Sequence, residues 1–270
     1  MMTALPTAQP AYGLEGPSAG RTVDNATPQG STYLRPNSVQ SNGTGSLSRS
    51  AKRSFFLMAS PLMRMNGFLY KNLRSPGTEE RARVHLGPGQ KKYMVGWINV
   101  DANMFTGKCD LWADLRYPLP FRDSTIAAIY SHHVVEHLTD LSAHFADVFR
   151  CLTPGGTYRV GGPDGDSAIR KFIEGDKSWF GDWPDKRQSI GGRLENFIFC
   201  RGEHLTILTE SFLGELLSDA GFTNIRKCIP SKLTYRPDVL MDALAMEEES
   251  DFEAPHTLIL EADKPAAGNF

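Results

Sequence analysis

In the stretch HLGPGQ, Gly87 and Gly89 flank a proline directly after a short apolar run. Without a Cβ they let the backbone turn sharply and pass close to a ligand, although Gly-Pro-Gly also serves as an ordinary tight turn. The next apolar run, GWINV, ends directly in Asp101, whose carboxylate can accept hydrogen bonds from both hydroxyls of a ribose. A third run, CDLWADL, ends near Asp114-Leu115, an acid beside an apolar residue that together can hold the edge of an adenine. Further on, SHHVVEHL gathers His132, His133, Glu136 and His137. His133-x-x-Glu136-His137 matches an inverted zinc-protease motif, and on a helix His133 and His137 would share a face and reach one metal. Here the pattern starts at a strand end rather than inside a long helix, so zinc hydrolysis is the weaker reading and no metal is expected.

The elements that must position these residues follow from hydrophobic periodicity. RVHL, GWINV, CDLWADL, IAAIYS, GTYRVGG, TNIRKCI and HTLILEA each have the composition of a mostly buried strand. Between them, VVEHLTDLSAHFADVFRCL places Val134, Leu138, Leu141, Phe145, Val148 and Leu152 at helical spacing. TESFLGELLSDAGF does the same with Phe212, Leu213, Leu216 and Leu217, and Gly221 supplies a stop. Strands alternating with helices predict an α/β fold with a mostly parallel sheet and helices on its faces. In such a sheet ligands bind beyond the carboxyl ends of the strands, where the glycine turn, Asp101, Asp114 and the histidines all fall.

Taken in order, HLGPG, GWINVD, ADLRYPLPFRDSTIAAIYSHHVVEHL, FRCLTPGGTYRVGGPD, EHLTILTESFLGELLSDAGF and HTLILEADKP resemble a class I S-adenosylmethionine-dependent methyltransferase, close to the type-11 group. The resemblance spans residues 81–265. It implies a Rossmann-like sheet with an antiparallel strand near the C-terminus, and S-adenosyl-L-methionine as cofactor. Gly87 and Gly89 would face its methionine part, Asp101 its ribose, Asp114 and Leu115 its adenine, and His132 and His133 would follow the fourth strand beside the sulfonium. Two departures stand out: Leu86 and Pro88 replace an acid and a freer residue, and the short distance from Gly89 to Asp101 requires the usual first helix to shrink or become a loop. Because a sulfonium methyl is already activated, the protein needs in-line positioning and a base for the acceptor's proton. His133, Asp164 and His204 are the candidates, an imidazole's ordinary pKa of about 6.5 suiting the task.

The insert 164–208 is expected on the acceptor side, its Trp179, Phe180, Trp183, Asn196, Phe197, Phe199, Arg201, Glu203 and His204 mixing flat walls with polar handles. Residues 1–50, rich in Ser, Thr, Gly, Pro, Asn and Gln, are expected to be a disordered tail. Residues 51–80 begin with a basic amphipathic segment containing Lys52, Arg53, Arg64, Lys71 and Arg74 and no acid up to Arg74, interrupted near Pro61. It either packs on the domain or makes weak membrane-surface contact through 51–74.

A net charge of −2 supplies no global pull on a polyanion, and no basic stripe with interleaved aromatics is visible, so a nucleic-acid acceptor is not expected. A small molecule or a glycan or lipid-linked metabolite is preferred. Four scattered cysteines without C-x-x-C spacing, no signal-peptide order and no spanning apolar run predict a cytoplasmic protein. Composition leaves the oligomeric state open. Two other functions compete: a catalytically silent methyltransferase-like binding domain, and a nicotinamide dehydrogenase, against which HLGPGQ lacks the third glycine and the helix that carries a pyrophosphate.

Overall fold

Strand β4 (Ile126–His132) is buried at every residue, the burial expected of a central strand covered on both faces. The computed structural model, which describes residues 49–103 and 107–268, places it in the middle of a seven-stranded sheet. Its companions are β1 (Ala82–Leu86), β2 (Ile98–Asp101), β3 (Leu111–Trp112), β5 (Leu152–Pro163), β6 (Thr223–Cys228) and β7 (Thr257–Asp263). Their order is β3-β2-β1-β4-β5-β7-β6. All neighbours run parallel except β7, which is antiparallel to both β5 and β6. This is the mostly parallel sheet with one antiparallel strand near the C-terminus.

The helices are α1 (Arg49–Leu73), α2 (Leu141–Cys151), α3 (Gly165–Glu174), α4 (Ile190–Phe199), α5 (Glu210–Asp219) and α6 (Pro237–Leu244). On one face of the sheet Ile126, Ile129, Tyr158 and Val160 pack into the main core with Phe145 and Val148 of α2 and Leu213, Leu216 and Leu217 of α5. On the other, Ala128 and Tyr130 meet Val239, Leu240 and Ala243 of α6. Each fully buried Leu, Ile, Val or Phe contributes about 1.5–3 kcal/mol of transfer free energy, so both faces are needed to hold the strands in register.

Three expectations are corrected. The helix before β5 starts only at Leu141, because Asp140 caps it by accepting from the Ala143 amide at 2.9 Å. Val134 and Leu138 therefore precede it, and Leu152 already belongs to β5. Helix α1 runs through Pro61 without interruption. Pro61 lies on the exposed side, where water can serve the carbonyl that proline leaves free. The third strand contracts to two residues. Of the shortened helix or loop expected after the glycine turn, the structure has the loop: no α-helix separates β1 from β2.

The tail expected over 1–50 lies outside the described residues, apart from Arg49 and Ser50, which open α1. The insert folds as α3 and α4 around their own small core, in which Trp179 and Phe180 are buried with Ala168 and Ile198. Trp179 stacks on His256 at 4.3 Å and donates its indole N–H to the Ala254 carbonyl. These two aromatics serve packing, within the insert and against the segment that carries Ala254 and His256, whereas Trp183 and Phe199 remain exposed.

Candidate functional site

The glycine turn leaves β1 at the carboxyl edge of the sheet. Gly87 adopts φ +69° and Gly89 φ +57°, the left-handed region that L side chains avoid. A Cβ on Gly87 would also overlap the side chain of Val134, so the turn and the segment after β4 are in direct contact. The Gly89 amide donates to Asp101 Oδ2 at 2.9 Å, and Asp101 Oδ1 accepts from the Asn103 amide at 2.8 Å. A carboxylate offers about four lone-pair sites, so Asp101 can hold this turn and still accept from ribose hydroxyls.

Asp114 is engaged differently. Its Oδ1 accepts from Arg116 Nε at 2.9 Å, and its Oδ2 from Arg116 Nη2 at 2.6 Å and Ser60 Oγ at 3.3 Å. Burial alone would raise its pKa, but the Arg116 hydrogen bonds and charge outweigh that and hold the carboxyl below its ordinary range. Leu115 packs against the main core. The hydrogen bond from Ser60 comes from α1, so Asp114 is partly covered by that helix. Arg116 was not foreseen; its spacing of two from Asp114 is the signal that could have found it.

His132 ends β4 as a buried ring with Nε2 unpartnered, and burial, together with the neighbouring His133, pushes its pKa well down. His133 is exposed and takes φ +56°. Its Nδ1 lies 3.2 Å from Glu136 Oε1 and its Nε2 3.4 Å from Thr257 Oγ1. Only Val135–His137 then form a short 3₁₀ turn. His133 and His137 therefore do not share a helix face, and the inverted zinc-protease reading loses its geometry.

The structure instead brings His204, from the loop after α4, to this turn. The Leu205 amide donates to the Glu136 carbonyl at 2.7 Å, and the rings of His137 and His204 meet edge to face at 4.9 Å. His137 Nδ1 lies 2.9 Å from the Glu203 carbonyl and His204 Nδ1 2.9 Å from that of Ile198. Glu136 is fully buried; desolvation pushes its pKa up, but the hydrogen bond and charge of His133 more than offset this, leaving it below the ordinary value. Burial lowers the pKa of His204.

Asp164, also expected as a base, is completely buried and caps α3, accepting from the Ser167 amide at 2.9 Å. Its Oδ2 has no partner, and burial raises its pKa. Its Oδ1 is committed to its own helix, and its burial leaves it closed to solvent, unlike His133.

Residues 101–160 match the family model described as "Methyltransferase domain", a stretch running from the end of β2 through β3, β4 and α2 into β5. No curated protein matches the chain. Among solved structures, a SAM-dependent methyltransferase of Thermotoga maritima, titled a possible histamine N-methyltransferase, is 14% identical over 80% of this chain and 96% of its own, with a TM-score of 0.44. A SAM-dependent methyltransferase from Archaeoglobus fulgidus is 15% identical over 78% of this chain and 99% of its own, with a TM-score of 0.42. Phosphoethanolamine N-methyltransferase 2 of Haemonchus contortus, solved with S-adenosyl-L-methionine, is 13% identical over 75% of this chain and 52% of its own, also at 0.42. Likenesses this loose decide nothing about the chemistry of this chain. The match over 101–160 shows that this stretch is similar to a methyltransferase domain, and the strand order described above is the one expected from the resemblance to class I, type-11-like S-adenosylmethionine-dependent methyltransferases.

Proposed function

We propose that residues 81–265 bind S-adenosyl-L-methionine and transfer its methyl group to a small molecule or to a glycan or lipid-linked metabolite, with 164–208 on the acceptor side. The observation that carries this reading is the hydrogen bond between Asp101 and the Gly89 amide, which joins a ribose-binding carboxylate to a turn open enough for close ligand approach. Gly87, Gly89 and Asp101 hold the methionine and ribose parts. Asp114 and Leu115 flank the adenine, and the buried His132 backs the sulfonium. The bound cofactor supplies an activated methyl group; the chain positions the acceptor and receives its proton. Of the three candidate bases, His133 is the accessible one, His204 is half-buried and Asp164 is committed to capping. The described cysteines are all free thiols, in keeping with a reducing, cytoplasmic setting.

Calorimetric titration with S-adenosylhomocysteine, with NAD as competitor, tests this reading. Micromolar binding is expected, weakened about 10–100-fold in Asp101→Ala, since hydrogen bonds to a charged group contribute about 1.5–3 kcal/mol. No binding, or a preference for NAD, would overturn it.

Helix α1 adds a membrane-surface contact to the proposal. Its inward side carries Ala59, Ser60, Met63, Asn66, Gly67 and Tyr70, while Leu57, Met58, Leu62, Met65, Phe68 and Leu73 are exposed on a segment that has basic but no acidic residues. No helix among the described residues is long and apolar enough to cross a membrane. Weak cosedimentation with phosphatidylserine vesicles, lost in Leu62→Glu/Phe68→Glu and at high salt, is expected. Equal recovery in the supernatant with anionic and zwitterionic vesicles would refute the contact.

A further inference from the structure

Glu136, His137 and His204 each offer one ligating atom within 4.8 Å of the others. Such proximity is common by chance among exposed acids, but three features separate this cluster from a chance grouping. The carboxylate is fully buried, and its Oε2 has no hydrogen-bond partner. An orphaned carboxylate oxygen in the interior is costly, and it is stabilised when a cation is placed against it.

Secondly, both imidazoles are held in one tautomer. A backbone carbonyl can only accept, so the contacts of His137 Nδ1 with the Glu203 carbonyl and of His204 Nδ1 with the Ile198 carbonyl require N–H at Nδ1 in each ring. In the neutral rings Nε2 then carries the free lone pair. A ring whose far N–H is fixed by a carbonyl is the usual support for a metal-ligating histidine.

Thirdly, the cluster is assembled by the fold rather than by side-chain wandering. The hydrogen bond from the Leu205 amide to the Glu136 carbonyl ties the His204 loop to the 3₁₀ turn that carries the other two residues. Glu136 is held from its other side by His133 through Oε1.

We propose that Glu136, His137 and His204 form a binding site for a first-row divalent cation. Two imidazole nitrogens and one carboxylate oxygen suit Zn2+, Co2+ or Mn2+ better than the all-oxygen preference of Mg2+ or Ca2+. His137 is exposed and His204 half-buried, so the cation keeps coordination positions open on the outer side. Val134, whose side chain a Cβ on Gly87 would meet, lies two residues before Glu136, so the glycine turn is in contact with the segment that leads into the site. If the transferase reading holds, on which this last step rests, the open positions take an oxygen atom of the acceptor, and hydroxyl, carboxylate or phosphate-bearing acceptors are the class selected. This is not the zinc-hydrolase arrangement weighed from the sequence, because His133 is not a ligand.

The test is titration of the untagged full-length chain with Co2+, read by its visible absorption, and with Zn2+ by competition. His137→Asn and His204→Asn are the variants, checked for fold by circular dichroism and for S-adenosylhomocysteine binding by calorimetry. The expected result is one cation per chain bound with micromolar affinity, weakened at least about 10–100-fold in each variant, while both variants stay folded and bind S-adenosylhomocysteine as the parent does. Binding no tighter than millimolar, or an affinity unchanged in both variants, would overturn the site. Because the metal readout does not depend on the cofactor, failure to bind S-adenosylhomocysteine alongside intact Co2+ binding would strike the transferase reading alone.

Discussion

Replacing Arg159 by methionine should lower the free energy of unfolding by about 3–5 kcal/mol, the usual cost of removing one partner from a buried ion network. Arg159 follows Tyr158 on β5, and where Tyr158 enters the main core, Arg159 points to the opposite face of the sheet, completely buried. Its Nε and Nη2 donate to Glu247 Oε1 at 2.7 Å and Oε2 at 2.9 Å, its Nη1 donates to Glu261 and to the Leu233 carbonyl. Burial alone would lower the guanidinium pKa; the two carboxylates reverse that and raise it. The carboxylates in turn hold the C-terminal segment, Glu247 through the Ser231 amide and Glu261 through Thr234 Oγ1 and the Tyr235 amide. Methionine would fill the volume but strand two buried negative charges. Equilibrium urea unfolding of Arg159→Met, compared with Arg159→Met/Glu247→Gln/Glu261→Gln, is the measurement. The triple variant should recover part of the loss because it removes the uncompensated charges. A single variant within 1 kcal/mol of the parent, on the order of an exposed ion pair, would contradict the role assigned to the network.

Acidification should destabilise the protein between about pH 6.5 and 4 more steeply than carboxylate protonation alone explains. His85 and His144 are both buried, and desolvation lowers each pKa from 6.5 to about 4. His85 keeps a hydrogen-bond contact with Asn99 Oδ1 at 3.3 Å, whereas His144 Nε2 is buried without a partner. The unfolded chain binds a proton at each ring as the pH falls through 6.5, while the folded chain does so only near 4. Protons therefore favour the unfolded state in that window, and stability that is complete above pH 6.5 is lost as the pH falls toward 4. A shift of this size corresponds to roughly 3 kcal/mol per ring at full effect, so the pair rivals a typical net stability of about 5–15 kcal/mol. The buried His132 acts in the same direction. Urea unfolding across this range should show the slope, and His144→Leu, which sacrifices no bond at Nε2, should flatten it. An unchanged slope in that variant would exclude His144 as a source.

The linear order of strands and helices was legible because burial imposes a period. The apolar character of the IAAIYS run and the helical spacing of Leu213, Leu216 and Leu217 follow from which side chains must leave water, and the strand order they imply places Asp101 and the glycine turn at the carboxyl edge. Helix starts were less legible: apolar spacing ran on through Val134 and Leu138, and only the side chain of Asp140, closing on the Ala143 amide, decided where α2 begins. The aromatics of the insert carry the same composition whether they line a pocket or pack on one another, and the stacking of Trp179 on His256 decided for packing. What the sequence by itself determined is the sheet and the acid at the end of β2, since both depend on local pattern. Which histidines meet was decided by tertiary structure alone. His204 lies far along the chain from Glu136, and no spacing rule links them; the hydrogen bond from the Leu205 amide to the Glu136 carbonyl and the contact of His137 with the Glu203 carbonyl bring the two segments together.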